Sequence, residues 1–161
     1  MNHGKRVLVL IILIAIVIAS TAFILGNSLM DRDSSHGTSG VITSIVTDTE
    51  DEYEWDRVDL IVRKIAHLVE YAVLGACGSL LCVFIHSLYG SKIYCYLISY
   101  SLFIAVLDEH IQSFSDRGSS TSDILLDFLG AITGFSSVIA IYFSVTYFIK
   151  KNRKNVAESL T

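Results

Sequence analysis

Two stretches of this chain concentrate side chains that can move protons or hold a cation. In "RKIAHLVEYAVLG", residues 63 to 75, His67, Glu70, Tyr71 and Leu74 recur at i, i+3, i+4 and i+7. On a helix that spacing puts an imidazole, a carboxylate and a phenol on one face. In "DEHIQSFSDRGSSTSD", residues 108 to 123, Asp108, Glu109 and Gln112 close one apolar run, and Asp123 opens the next, with Asp127 one turn further in. Asp123 suits a helix N-terminus, where the macrodipole favours a carboxylate. Asp127 lies a turn too deep for capping, and Asp108 and Glu109 sit at the helix end that disfavours negative charge. Glu70, Asp108, Glu109, Asp123 and Asp127 outnumber the nearby Arg63, Lys64 and Arg117. In a poorly hydrated site such a surplus is met by protonated carboxylates, a charged histidine or a bound cation. Acid–base chemistry or a cationic ligand would suit it. An ion-pair network that only holds helices together is the structural alternative.

The elements that must position these residues are apolar helices. Of 161 residues, 52% are hydrophobic and 17% charged, with a mean hydropathy of +0.57. Soluble domains carry about 25% charged residues, so the balance indicates an all-α polytopic membrane protein. Proline is absent. Nothing in the charge pattern forms a basic nucleic-acid surface. Cys77, Cys82 and Cys95 lie in apolar runs and read as small core hydrophobes, not a disulfide framework.

Four apolar segments predict a bundle of four transmembrane helices, at about residues 7–25, 65–88, 93–110 and 124–149, in one membrane domain covering the chain. The first, second and fourth reach the ~20 residues a crossing needs. The third crosses only if its helix continues through Asp108 and Glu109 toward Gln112, which sets those groups at the membrane boundary. The first run exceeds a signal-peptide core of ~7–15 residues and reads as a retained helix. Lys5, Arg6, Lys92 and the tail "KKNRK" then fall on one side, predicting both termini in the cytoplasm. His67, Asp108 and Asp123 would face outward. The outer loop, about residues 26–60, opens with "NSLMDRDSSHGTSG", read as irregular. Val41, Ile42, Ile45 and Val46 follow at helical spacing, and "DTEDEYEWDRVD" reads as a solvated acidic stretch. Gly130 and Gly134 have the small-xxx-small spacing of a helix-packing face that also carries Asp127, and Gly75 and Gly78 can act likewise.

Taken together, "RK.AH..EY..LG" and "DE.IQSF...R......D...D..G...G" resemble the VanZ-like family of small polytopic membrane proteins. The resemblance implies a bacterial cell-membrane protein, in a family whose founding member is associated with lowered susceptibility to the glycopeptide teicoplanin. It also carries over Lys64, His67, Glu70, Tyr71, Asp108, Glu109, Gln112, Arg117, Asp123 and Asp127 as residues of interest. His67, Glu70, Asp108, Glu109, Gln112 and Asp123 are the candidates for chemistry; Lys64, Tyr71, Arg117 and Asp127 are the candidates for binding substrate. Three functions compete: an enzyme acting on membrane lipids or a lipid-linked envelope precursor, a module binding an amphiphile such as a lipoglycopeptide, and a structural partner of envelope proteins. A divalent cation is admissible as a cofactor, and the sequence leaves its identity and the oligomeric state open. "Asp123-x-x-x-Asp127" is also half of a CDP-alcohol phosphotransferase motif, but the remainder is missing and an outward site would not meet a cytoplasmic nucleotide.

Overall fold

The computed structural model describes residues 2–29, 43–45, 52–114 and 120–159, and is all-helical over them apart from short turns. Helix α1 is His3–Ser28, α2 Glu52–Tyr89, α3 Tyr94–Gln112 and α4 Thr121–Ser159. With no proline to interrupt them, the helices run past the ends of their apolar runs. Hydropathy marks where lipid begins, whereas a helix stops only where its backbone is capped or broken. The acidic stretch from Glu52 onward therefore forms the first turns of α2. Arg57 there lies over the Tyr53 ring and Arg63 pairs with Asp59 at 3.3 Å, both at i, i+4 spacing. Asp59 is fully buried and accepts a 3.2 Å hydrogen bond from the Thr43 hydroxyl, so this carboxylate is not part of a solvated loop. Val41, Ile42 and Val46 lie outside the described residues; Ile45 is helical and exposed.

The connections are explicit in the backbone. Gly90 adopts φ +67°, and its N–H closes the end of α2 on the His86 carbonyl at 2.9 Å, the left-handed cap that glycine adopts without a Cβ penalty. Ser120 caps α4: its carbonyl accepts from the Asp123 N–H at 2.9 Å and its hydroxyl from the Ser122 N–H at 3.3 Å.

Packing follows from which stripe of each helix is short or polar. On α1, Val17, Thr21, Ile24 and Ser28 form the buried face, while Ile11, Ile18 and Phe23 stand about 60% exposed on the other. Thr21 bonds the Tyr100 hydroxyl of α3 at 2.8 Å, and Ser28 bonds Asp108 seven residues further along, so α1 and α3 run parallel. Helices α2 and α4 also run parallel and approach most closely. A Cβ on Gly75 would overlap the Ala131 carbonyl, and one on Gly134 would overlap the Ala72 carbonyl. On Gly130 it would meet the Leu68 carbonyl oxygen at 2.5 Å. Gly78 instead faces a Leu97 side chain at an ordinary 3.8 Å. The core gathers Val17, Ile24, Tyr71, Leu74, Leu81, Ile104, Ala105 and Ala131. Cys77, Cys82 and Cys95 are all free thiols; Cys82 is buried and Cys95 exposed.

Among the described residues, three helices are long and apolar enough to cross a membrane: His3–Ser28, Tyr53–Tyr89 and Thr121–Val156. Their outward faces carry large apolar side chains that the protein leaves uncovered, as lipid-facing helices do. Helix α3 packs between its neighbours, but Asp108, Glu109, His110 and Gln112 dilute its 19 residues, and it does not join that group.

The close α2–α4 crossing generates a stability test. Gly134→Val should lower the thermal midpoint of the purified chain in detergent, at a cost of at least about 1–3 kcal/mol, since backbone must move to admit the side chain. Gly26→Ala, where nothing lies within 4 Å, should leave the midpoint unchanged or slightly raised. Equal midpoints for wild type and Gly134→Val would contradict the packing.

Candidate functional site

The C-terminal ends of α1 and α3 meet the N-terminal halves of α2 and α4 at one end of the bundle, and polar side chains from all four converge there. Asp108 is the centre. It is fully buried, because α3 turns its Ser101–Ala105–Asp108 stripe inward. The Ser28 hydroxyl of α1 donates to its Oδ1, and the Gln112 amide, one turn along α3, donates to its Oδ2 at 3.2 Å. The same amide reaches the Ser28 oxygen at 3.3 Å. His67 Nδ1 stands 3.7 Å from Asp108 Oδ2, near enough to attract and too far for a hydrogen bond. Asp127, 3% exposed, completes the group from α4: ligating atoms of His67, Asp108 and Asp127 all lie within 4.8 Å of one another.

Other candidates ring this centre. Glu109 is 4% exposed and accepts from the Ser120 N–H, which ties the end of α3 to the cap of α4. Lys64 pairs with Asp123 at 2.5 Å. Glu70 accepts from the Asn27 amide at 2.9 Å through Oε1, while its buried Oε2 has no partner among the described residues. Tyr71 is wholly buried between the helices, with its hydroxyl facing the carboxylates of Asp108, Asp127 and Glu70, Asp108 nearest to a hydrogen bond. Arg63 is committed to Asp59, a carboxylate the sequence reading did not count in the cluster. Lys64 is thereby left as the described lysine or arginine paired within it. Arg117 lies outside the described residues. His110 points away, exposed, its ring 5.0 Å from that of Phe114.

Two cavities adjoin this centre. A cleft of about 120 Å³ is lined by Arg63, Lys64, His67, Glu109, Gln112, Asp123 and Asp127, with Leu60 and Leu126 at its apolar edges. On the α1–α2 side, a groove of about 440 Å³ is lined by Ala19, Phe23, Ile24, Val69 and Val73, with Glu70 as its charged member. A polar cleft that can hold a headgroup or an ion with water therefore lies close to an apolar groove of acyl-chain character.

Sequence reasoning missed Asn27 and Ser28, which it placed in an irregular loop. The available signal was register: Thr21, Ile24 and Ser28 continue the inward stripe of α1 at helical spacing, with Asn27 beside it. The Ser120 backbone contact had no side-chain signature to find.

The family model described as VanZ/LLP1 matches residues 7–145, from the start of the apolar run of α1 to well inside α4, and the chain belongs to the VanZ/LLP1 family. No curated protein and no solved structure matches it.

Because Ser28 supplies a hydrogen bond to a fully buried carboxylate, Ser28→Ala should destabilise the chain by about 1–3 kcal/mol. Ser113→Ala, on the exposed turn after α3, should be neutral. Thermal unfolding in detergent checks both, and a neutral Ser28→Ala would place Asp108 in a wetter setting than described.

Proposed function

We propose that this VanZ/LLP1 protein crosses the membrane four times with both termini in the cytoplasm. Its polar end then faces outward, and it acts there on the headgroup of a lipid or lipid-linked envelope amphiphile. The proposal extends to phenotype: this action lowers susceptibility to lipophilic glycopeptides such as teicoplanin, as the family resemblance suggests. The observation that carries the reading is the succession along α2 of a small polar cleft, lined as far as His67, and an apolar groove, lined from Val69 onward. An amphiphile presents those two chemistries side by side. The parallel course of α1 with α3, and of α2 with α4, supports the even number of crossings. From Glu70 to the end of α2 at Tyr89 the helix rises about 28 Å at 1.5 Å per residue, close to the ~30 Å of a hydrocarbon core. That length suits a polar cluster at one membrane face and Tyr89 at the other.

The size of the cleft favours a small headgroup over a whole glycopeptide. A volume of about 120 Å³ is well below the ~300–1,000 Å³ of sites that enclose drug-sized ligands, so a whole glycopeptide is not its occupant. Within it His67 can take a proton from a headgroup hydroxyl or water, with Asp108 balancing the imidazolium charge. Glu109 and Asp123 offer a proton donor and a charged partner across the cleft. Simple binding of an acyl chain is the second reading, favoured by the volume and apolarity of the α1–α2 groove.

Susceptibility separates these readings. His67→Ala and Glu109→Gln should reduce teicoplanin protection to that of cells lacking the protein, at unchanged membrane abundance, since losing an acid–base group costs ~10²–10⁴ in rate. Under simple binding the same variants keep partial protection, and a bulky Ala19→Phe in the groove removes it. Full protection by both His67→Ala and Glu109→Gln would refute a role for this cleft. The orientation has its own check in a background lacking Cys77, Cys82 and Cys95: a cysteine at exposed Ser122 should react with a membrane-impermeant thiol reagent on whole cells, and one at exposed Asn155 should not. The reverse pattern would overturn the topology.

A further inference from the structure

We infer that His67, Asp108 and Asp127 form a three-ligand site for a divalent transition-metal ion of the zinc class. The inference rests on the reading of the same cleft and changes one role in it, since a histidine that holds the ion does not also serve as proton acceptor; it can be tested without any susceptibility phenotype. One residue comes from each of α2, α3 and α4, and the ligating atoms lie within 4.8 Å of one another. A tetrahedral ion with bonds of about 2.0–2.2 Å sets its ligand atoms roughly 3.4 Å apart. Side-chain torsions alone can close the difference, and His67 Nδ1 and Asp108 Oδ2 are already 3.7 Å apart.

Asp127 makes the strongest independent case. It is 3% exposed, and among the described residues it has no hydrogen bond and no ion pair. Asp108, Glu109, Asp123 and Glu70 surround it with further carboxylates. A buried carboxylate in such company takes up either a proton or a cation, and a cation is the one that the neighbouring His67 and Asp108 are placed to share. The Tyr71 hydroxyl, wholly buried, faces the same carboxylates from α2, Asp108 first among them. By contrast Asp123 and Glu109 already have partners, Lys64 and the Ser120 N–H, and so stand outside the ligand set. Ser28 and Gln112 hold Asp108 by hydrogen bonds that fix its orientation, as groups behind a metal ligand do.

The donor set selects the ion. Magnesium and calcium take six or more oxygen ligands, whereas an imidazole with two carboxylates suits zinc and its neighbours. Three protein ligands leave a coordination position for water or a substrate oxygen, the arrangement of catalytic zinc sites. His67 and Asp127 both line the cleft, so that position opens onto it.

The test uses the full chain in detergent, with Cys77, Cys82 and Cys95 replaced by alanine, stripped with a chelator and then exposed to ZnCl₂ or MgCl₂. Elemental analysis after desalting should find about one zinc per chain and no retained magnesium. Zinc should also raise the thermal midpoint. Asp127→Asn and His67→Gln should each weaken zinc binding roughly 10–100-fold or more, while His110→Gln, on the exposed side of α3, binds as the parent does. Asp127→Asn should also lose the zinc-dependent shift in midpoint. No zinc retained by the parent, or zinc retained equally by Asp127→Asn and His67→Gln, overturns the site. Zinc binding by the parent, together with full protection in both the His67→Ala and the Glu109→Gln cells, would leave the metal site standing and the proposed function refuted.

Discussion

The close crossing of α2 and α4 is the constraint on which the polar end of this protein depends. Gly75, Gly130 and Gly134 let the two backbones approach to where a single Cβ would collide with a carbonyl. In lipid there is no hydrophobic force between helices, so dispersion across such a contact is much of what holds them. The crossing also fixes register. It sets Asp127, one turn before Gly130, against the face of α2 that carries His67 and Tyr71. Helix α3 then adds Asp108, and α1 adds the hydroxyl and amide that orient Asp108 and Glu70. Sites built on rigid helices in this way hold their geometry more tightly than sites on loops.

Buried charge gives the arrangement its chemical character. Asp108, Glu109 and Asp127 are all less than 5% exposed, and Lys64 pairs with the more accessible Asp123 at the cleft. Hydrophobic residues of similar volume would pack four helices together at lower cost than carboxylates. Ionisable groups inside a membrane bundle are a functional hypothesis by default, and here three helices contribute them to one point. The hydrogen bonds from Ser28, Gln112, Asn27 and the Ser120 backbone satisfy individual oxygens without neutralising the group.

Much of this was legible in the sequence. The i, i+3, i+4 pattern of His67, Glu70 and Tyr71 and the placement of Asp108 and Asp127 at helix ends follow from helical period alone. They led to residues that the fold gathers around Asp108, although Glu70 lines the α1–α2 groove and not the polar cleft, and the spacing of Gly130 and Gly134 led to the face that meets α2. Helix ends were less legible, because hydropathy reports the lipid boundary and not the backbone. The first turns of α2, with buried Asp59, consequently read as loop. Arg63 read as a counter-ion to the cluster for the same reason, since its true partner lies one turn back on a helix hydropathy does not mark. Asn27 and Ser28 were hidden by their neighbours in a polar run, although their register on α1 was available. Gly78 shows the limit of a small-residue pattern: spacing alone does not say which glycine meets backbone and which meets a leucine side chain.

Whether an envelope amphiphile enters this cleft can be read by photo-crosslinking. A photoreactive amino acid would be placed at Leu126, on the edge of the cleft, and separately at Ile141, on the exposed apolar face of α4, in living cells. Mass spectrometry would then identify the adducts. A lipid or lipid-linked envelope species should be enriched at position 126 over position 141, with the enrichment lost in an Asp127→Asn background. The same bulk-lipid profile at both positions would contradict it.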